Sequence, residues 1–135
     1  MIGLGDSTTM VTEIAEELRL DDGSVGISRD PAEVQAYLDD PLVFKGKSTS
    51  RMGAELLWGM QTIMAEKSRL RLPLLIMHGT ADFLAEPDET EIMFNTARST
   101  DKTLKFYDGY LHELFNEIDK EVPLTDLQNW LEAHS

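Results

Sequence analysis

Residues 74–87 read LLIMHGTADFLAEP: an apolar run, a His-Gly pair, and then one aspartate, Asp82, among small and apolar neighbours. The run Pro73–Met77 is bounded by proline and glycine and is too short for a helix, which predicts a buried strand. Downstream, Thr103–Tyr107 (TLKFY) is rich in Thr, Phe and Tyr and stops at Asp108-Gly109, which predicts a second strand. Between them, Asp88 with Glu91 forms a capping pair that predicts a helix running to about Arg98. A last helix is predicted from about Glu121 to Ala133, with Leu124, Leu127 and Leu131 along one stripe and Trp130 beside it. Strand, helix and strand make a βαβ unit, whose strands pair in parallel through a right-handed crossover.

The first half of the chain differs in character. Met10–Leu20 is apolar on one helical face, and DDGSVG breaks it. Asp30-Pro31-Ala32-Glu33 reads as a helix start, with Asp30 as cap, Pro31 in the first turn and Glu33 reaching back. That helix is expected to end near Asp39, where Asp40-Pro41 follows. A longer one is expected over 50–68, weakened but not cancelled by Gly53 and Gly59. The organisation changes near Arg71–Pro73, and no strand is expected before it.

Two strands do not make a self-sufficient parallel sheet, because such sheets have several strands and are covered on both faces. The sheet is therefore expected to be completed by residues this chain lacks or by another chain.

The composition narrows the partners. In 135 residues, 41% apolar and 27% charged, the formal charge is −13, from 25 acids against 12 bases. That balance argues against nucleic acid and against docking on an anionic membrane, and favours a neutral or cationic substrate. Cysteine is absent, so there are no disulfides and no thiolate metal ligands. The longest apolar stretch, Leu74–Met77, falls far short of the roughly 20 residues of a membrane span. The N-terminus lacks the pattern of a signal peptide, so a cytoplasmic location is expected.

In doubly wound folds, functional residues gather in the loops at the carboxyl ends of the strands. Asp82 follows the first strand and His112, in DGYLHELFNE, follows the second. Adjacent parallel strands bring those loops together. A carboxylate beside an imidazole fixes its tautomer and stabilises the imidazolium formed during general-base catalysis. A structural hydrogen bond is the competing reading.

LPLLIMHGTADFLAEP, DKTLKFYDGYLHELFNE and LQNWLEAH resemble the C-terminal part of α/β-hydrolases of the monoacylglycerol lipase and lysophospholipase group, also called serine aminopeptidase-like. SRDPAEVQAYLDDPLV and RMGAELLWGMQTI are similar to that group's cap segment and the helix leading out of it. The resemblance runs from about Leu18 to Ser135. It implies an α/β fold: the C-terminal portion of an α/β-hydrolase, two parallel strands with flanking helices, preceded by a helical cap. Residues 1–70 would then be cap and connecting helix, and residues 71–135 the C-terminal part of the core. It also implies that Asp82 is the triad acid and His112 the base, in the order the group uses.

The nucleophile of that group lies in a Gly-x-Ser-x-Gly elbow upstream of the cap, and none occurs here. DGSVG, residues 22–26, has Asp22 in place of the first glycine and no strand before it, and is read as a turn. GLGDST, residues 3–8, echoes another esterase family, which pairs it with a late Asp-x-x-His, whereas Asp108 stands four residues before His112. The resemblance thus implies part of a serine ester hydrolase that supplies Asp82 and His112 and is inactive alone. The implied substrate is a neutral lipid or ester, with no cofactor and no metal. The expected partners are a missing N-terminal half or a second copy at the open sheet edge. A non-catalytic remnant or interaction module is the alternative, and a peptidase a third reading.

The stripe Met52, Leu56, Met60, Ile63 and Met64, with Trp58 adjacent, is read as core or cap packing, with an acyl-chain contact at Met52, Leu56 and Met60 as the functional alternative. His78 is expected to be structural and His134 solvated. Glu113 could tune the imidazole, with solvation the preferred reading.

Overall fold

The computed structural model describes residues 26–44 and 49–135. The helix expected at Met10–Leu20, the GLGDST stretch and all of DGSVG except Gly26 lie outside the described residues.

Helix α1 spans Pro31–Asp39 and begins as its sequence dictates, with Pro31 in the first turn and the Asp30 carboxylate accepting from the Ala32 N–H at 2.9 Å. It stops at Asp40, held extended ahead of Pro41. Glu33 does not reach back to the cap as expected. It accepts instead from Lys120 Nζ at 3.0 Å, a cation that the C-terminal segment brings within reach. Helix α2 spans Ser50–Glu66, and Thr49 caps it by accepting from the Met52 N–H at 3.2 Å. A 3-10 turn at Lys67–Arg69 tightens its exit, so the α-helix ends two residues before Ser68.

Strand β1 spans Leu74–Gly79 and β2 spans Lys102–Tyr107. They pair in parallel, in register from Leu74 opposite Lys102 to Gly79 opposite Tyr107. Helix α3, Pro87–Thr96, makes the crossover between them. It starts two residues earlier than the Asp88 cap predicts, with Glu86 at the cap position and no side-chain cap bond. The reason lies in Pro87, whose fixed φ and missing N–H suit the first helical position. Asp88 and Glu89 then fall in the first turn, where the helix dipole favours acids. Helix α4 covers Glu121–Ala133, as the leucine stripe indicates.

The architecture is α/β: a two-stranded parallel sheet with flanking helices. The buried cluster is small and lies at the carboxyl end of the strands, where Tyr107, Tyr110 and Leu114 pack together with Met77 against them. Only Gly79 of β1 and Tyr107 of β2 are buried, and none of α1, α2 or α3 is. His134 is not free in solvent. It stacks on Trp130 at 4.0 Å between ring centres, and its Nε2 lies 3.0 Å from Asp101. No helix among the described residues is long and apolar enough to cross a membrane.

Candidate active site

The loops that follow β1 and β2 are bound to each other before any catalytic group is considered. Backbone N–H groups of Thr80 and Ala81 donate to the carbonyls of Tyr107 and Tyr110 at 2.9 and 3.0 Å. The Thr80 hydroxyl donates to Asp108 at 3.2 Å and accepts from the Gly109 N–H at 2.8 Å. Gly109 holds φ at +74°, which suits glycine and turns the chain out of β2. Gly79 is needed for space instead. A Cβ there would run into the carbonyl oxygens of Tyr110 and Leu111, so only glycine lets the two loops close up.

That closure brings together the two residues on which the sequence reading rests. His112 Nδ1 lies 2.8 Å from Asp82 Oδ2, across 30 positions of sequence. Asp82 is buried, its side chain 3% exposed, while that of His112 is 45% exposed. Asp82 Oδ1 accepts from the backbone N–H groups of Leu84 and Ala85 at 2.8 and 3.1 Å. Burial pushes this carboxyl up, but the hydrogen bond from His112 and those from the Ala85 and Leu84 N–H groups outweigh it. The net effect holds Asp82 below the ordinary aspartate value. An ionised carboxylate can only accept, so His112 carries its proton on Nδ1, and Nε2, with no hydrogen-bond partner among the described residues, keeps its lone pair.

Three further residues shape the site. His78, at the penultimate position of β1, directs Nε2 at the Ala85 carbonyl from 3.0 Å, and the same nitrogen lies 3.1 Å from Asp82 Oδ2. Glu117 is fully buried. Its Oε1 accepts from the Leu111 N–H at 2.7 Å, next to His112, and its Oε2 accepts from Arg29 Nε at 2.8 Å. The bond to Glu117 holds the Arg29 guanidinium above its ordinary value, against its own partial burial. The guanidinium also lies 4.4 Å over the Tyr110 ring. Nearby, the Ser28 hydroxyl donates to the Asn116 carbonyl at 2.6 Å and the Glu113 N–H to the Ile27 carbonyl at 2.7 Å. Residues 27–29 are thereby stapled to the histidine loop.

His78 could have been flagged by its place as a polar residue in an apolar strand four positions before Asp82. Nothing in the sequence pairs Arg29 with Glu117, 88 residues away.

A cavity of about 680 Å³ opens beside His112, with Leu74, Leu75, Met77, Leu114, Phe115 and Trp130 in its wall. Met52, Leu56 and Met60 are not part of it. They lie on α2, more than half exposed at 60, 58 and 55%. Among the described residues, no group of three or more His, Cys, Asp or Glu side chains is arranged to hold a metal ion.

Comparison with known proteins follows the same lines. The family model for serine aminopeptidase, S33 matches residues 6–119. The chain is 34% identical to the monoacylglycerol lipase of Mycolicibacterium smegmatis over 108 residues, 80% of this chain and 39% of that one. It is 34% identical to the monoglyceride lipase of Mus musculus over 112 residues, 82% of this chain and 37% of that one. The crystal structure of the Paleococcus ferrophilus monoacylglycerol lipase superimposes with a TM-score of 0.80 at 27% identity, covering 95% of this chain and 53% of the other. The chain therefore spans well under half the length of these two relatives and about half of the solved structure.

Proposed function

Since the chain belongs to the serine aminopeptidase, S33 family and to its monoacylglycerol lipase-like group of α/β-hydrolases, we propose that Asp82 and His112 are the acid and base of a serine ester hydrolase. In this reading the nucleophile comes from residues outside these 135: an upstream segment, a neighbouring reading frame or a second polypeptide. The observation that carries it is the 2.8 Å contact between buried Asp82 and half-exposed His112. The absence of a Gly-x-Ser-x-Gly from the sequence supports the separate nucleophile.

The chemistry follows from the tautomer. Asp82 keeps the His112 proton on Nδ1, and Nε2, which has no partner among the described residues, takes the proton of an attacking serine hydroxyl. The resulting imidazolium lies against an ionised carboxylate, and its proton passes to the departing alcohol. A water molecule, deprotonated in turn by His112, attacks the acyl group; the acyl–serine bond breaks, His112 returns the proton to the serine oxygen, and the acid leaves. The substrate proposed is a monoacylglycerol or lysolipid-like ester, after the names of the relatives and the apolar wall beside His112. We divide the chain at residue 70 into a cap segment with its connecting helix and the end of the hydrolase core. Met52, Leu56 and Met60 on α2 are the proposed acyl-chain contacts.

One observation favours a second reading. The exposed Met and Trp face of α2 suits a module that binds another protein without chemistry. Two experiments separate the readings. The purified chain is expected to give no labelling by a fluorophosphonate probe. Co-expressed with the N-terminal half of a monoacylglycerol lipase, it is expected to restore monoacylglycerol hydrolysis, which Asp82→Asn and His112→Ala abolish. Restored hydrolysis that survives both substitutions would remove these residues from the mechanism.

A further inference from the structure

Asp82 Oδ2 lies beside two imidazoles. His112 Nδ1 lies 2.8 Å from it and His78 Nε2 lies 3.1 Å from it. The partners of His78 settle which of its nitrogens carries the proton. Nε2 faces the Ala85 carbonyl at 3.0 Å as well as the carboxylate, and both can only accept. The proton must therefore be on Nε2. Nδ1 lies 2.6 Å from the Thr90 hydroxyl, which can donate to it. A neutral ring with its proton on Nε2 satisfies every one of these contacts, and the ring is largely enclosed, with 12% of its side chain exposed.

The consequence concerns Asp82. Its Oδ1 is held by two backbone N–H groups of its own loop, Leu84 and Ala85. Oδ2 takes its hydrogen bond from the half-exposed His112. His78 adds a brace: its Nε2–H bonds the carbonyl of Ala85, whose own N–H holds Oδ1, and Nε2 stands 3.1 Å from Oδ2, so the segment carrying the carboxylate is held independently of His112. Thr90 projects from α3 and His78 from β1, so this bracing comes from the crossover unit rather than from a loop.

We propose that His78, locked by Thr90, is a positioning residue that presets the Asp82 carboxylate and thereby selects the Nδ1–H form of His112. Its catalytic meaning rests on the hydrolase reading above, but its test does not. Long-range proton–nitrogen spectra of the ¹⁵N-labelled chain report which ring nitrogen of each histidine is protonated. The expected result is Nε2–H for His78 and Nδ1–H for His112. His78→Leu is expected to turn His112 into a mixture of the two neutral forms, while the β1 and β2 amide signals stay in place. His78→Gln, which puts an amide donor near the position of Nε2, is expected to restore the Nδ1–H form. Thr90→Val is expected to give the same change as His78→Leu to a smaller extent.

A His78 with its proton on Nδ1 would overturn the proposal. So would a His112 that keeps its Nδ1–H form in His78→Leu, since a ring that merely filled space would leave that form untouched. In the co-expressed enzyme, His78→Leu is expected to lower kcat roughly threefold to tenfold with KM unchanged, the range for one hydrogen bond. If the wild-type pairing shows no hydrolysis, the hydrolase reading falls while the spectra still decide the role of His78.

Discussion

The loops at the carboxyl ends of the strands and helix α2 obey opposite rules. In the loops, Asp82, Tyr107, Tyr110, Leu114 and Glu117 are buried, and each polar group among them has its partners. On α2, Met52, Leu56, Trp58, Met60 and Ile63 are all more than half exposed, and nothing in the helix is buried. The loop cluster satisfies itself within this chain, and the helix does not. A large exposed apolar face of this kind marks a surface built for something else to cover. The site and the helix therefore make different demands, and substitutions should affect them in different ways.

The greatest loss is expected where the loops touch most closely. Gly79→Ala drives a methyl group into backbone carbonyls of Tyr110 and Leu111, which cannot swing aside as a side chain would. We expect destabilisation at or above the ~3 kcal/mol reached by ordinary overpacking, read as a fall in the urea midpoint. An alanine tolerated within ~0.5 kcal/mol, a surface-like effect, would mean that the loops are not closed as described.

Next comes the tie between residues 27–29 and the histidine loop. Arg29→Ala leaves the Glu117 carboxylate buried without its cation, with the backbone N–H groups of Leu111 at 2.7 Å and of residue 29 at 3.3 Å as its remaining partners. Breaking a buried pair costs ~3–5 kcal/mol; the guanidinium is one-third exposed, so water can replace part of what is lost and the low end is expected. Glu117→Gln keeps an acceptor for Leu111 and should cost less. The same unfolding curves check both, and an Arg29→Ala loss smaller than that of Glu117→Gln would reverse the assignment.

Tyr107→Phe probes the edge of the cluster. The phenol donates to Asp126 at 2.9 Å, and burial, then this hydrogen bond, raises the Tyr107 hydroxyl above its ordinary value. Asp126 keeps Lys105 as a partner in the variant. A loss of ~1 kcal/mol is expected, that of a single hydrogen bond, measured again by urea unfolding.

The sequence carries the strands, the crossover helix and the aspartate–histidine meeting because each depends on local signals. Apolar runs, turn residues and a parallel pair place Asp82 and His112 in neighbouring loops without any knowledge of packing. Pro87 shows the limit of the capping rule: the Asp88–Glu91 pattern is present, yet proline at the first helical position moves the start by two residues. Arg29 and Glu117 are not legible as a pair for another reason. They join segments that no periodicity connects, and a buried glutamate reads in sequence like any solvated one.

The smallest effect on stability, and the one that best separates the two regions, belongs to α2. Leu56→Asp together with Met60→Asp removes apolar surface that is already in water, so unfolding should move by no more than ~0.5 kcal/mol. What should change is assembly. If that face is where the rest of the hydrolase core or another copy docks, the double variant will lose complementation or self-association, seen by sedimentation, while keeping the His112 spectrum of the wild type. If instead the variant unfolds, α2 packs within this chain, and the contrast between a complete loop cluster and an uncovered helix disappears.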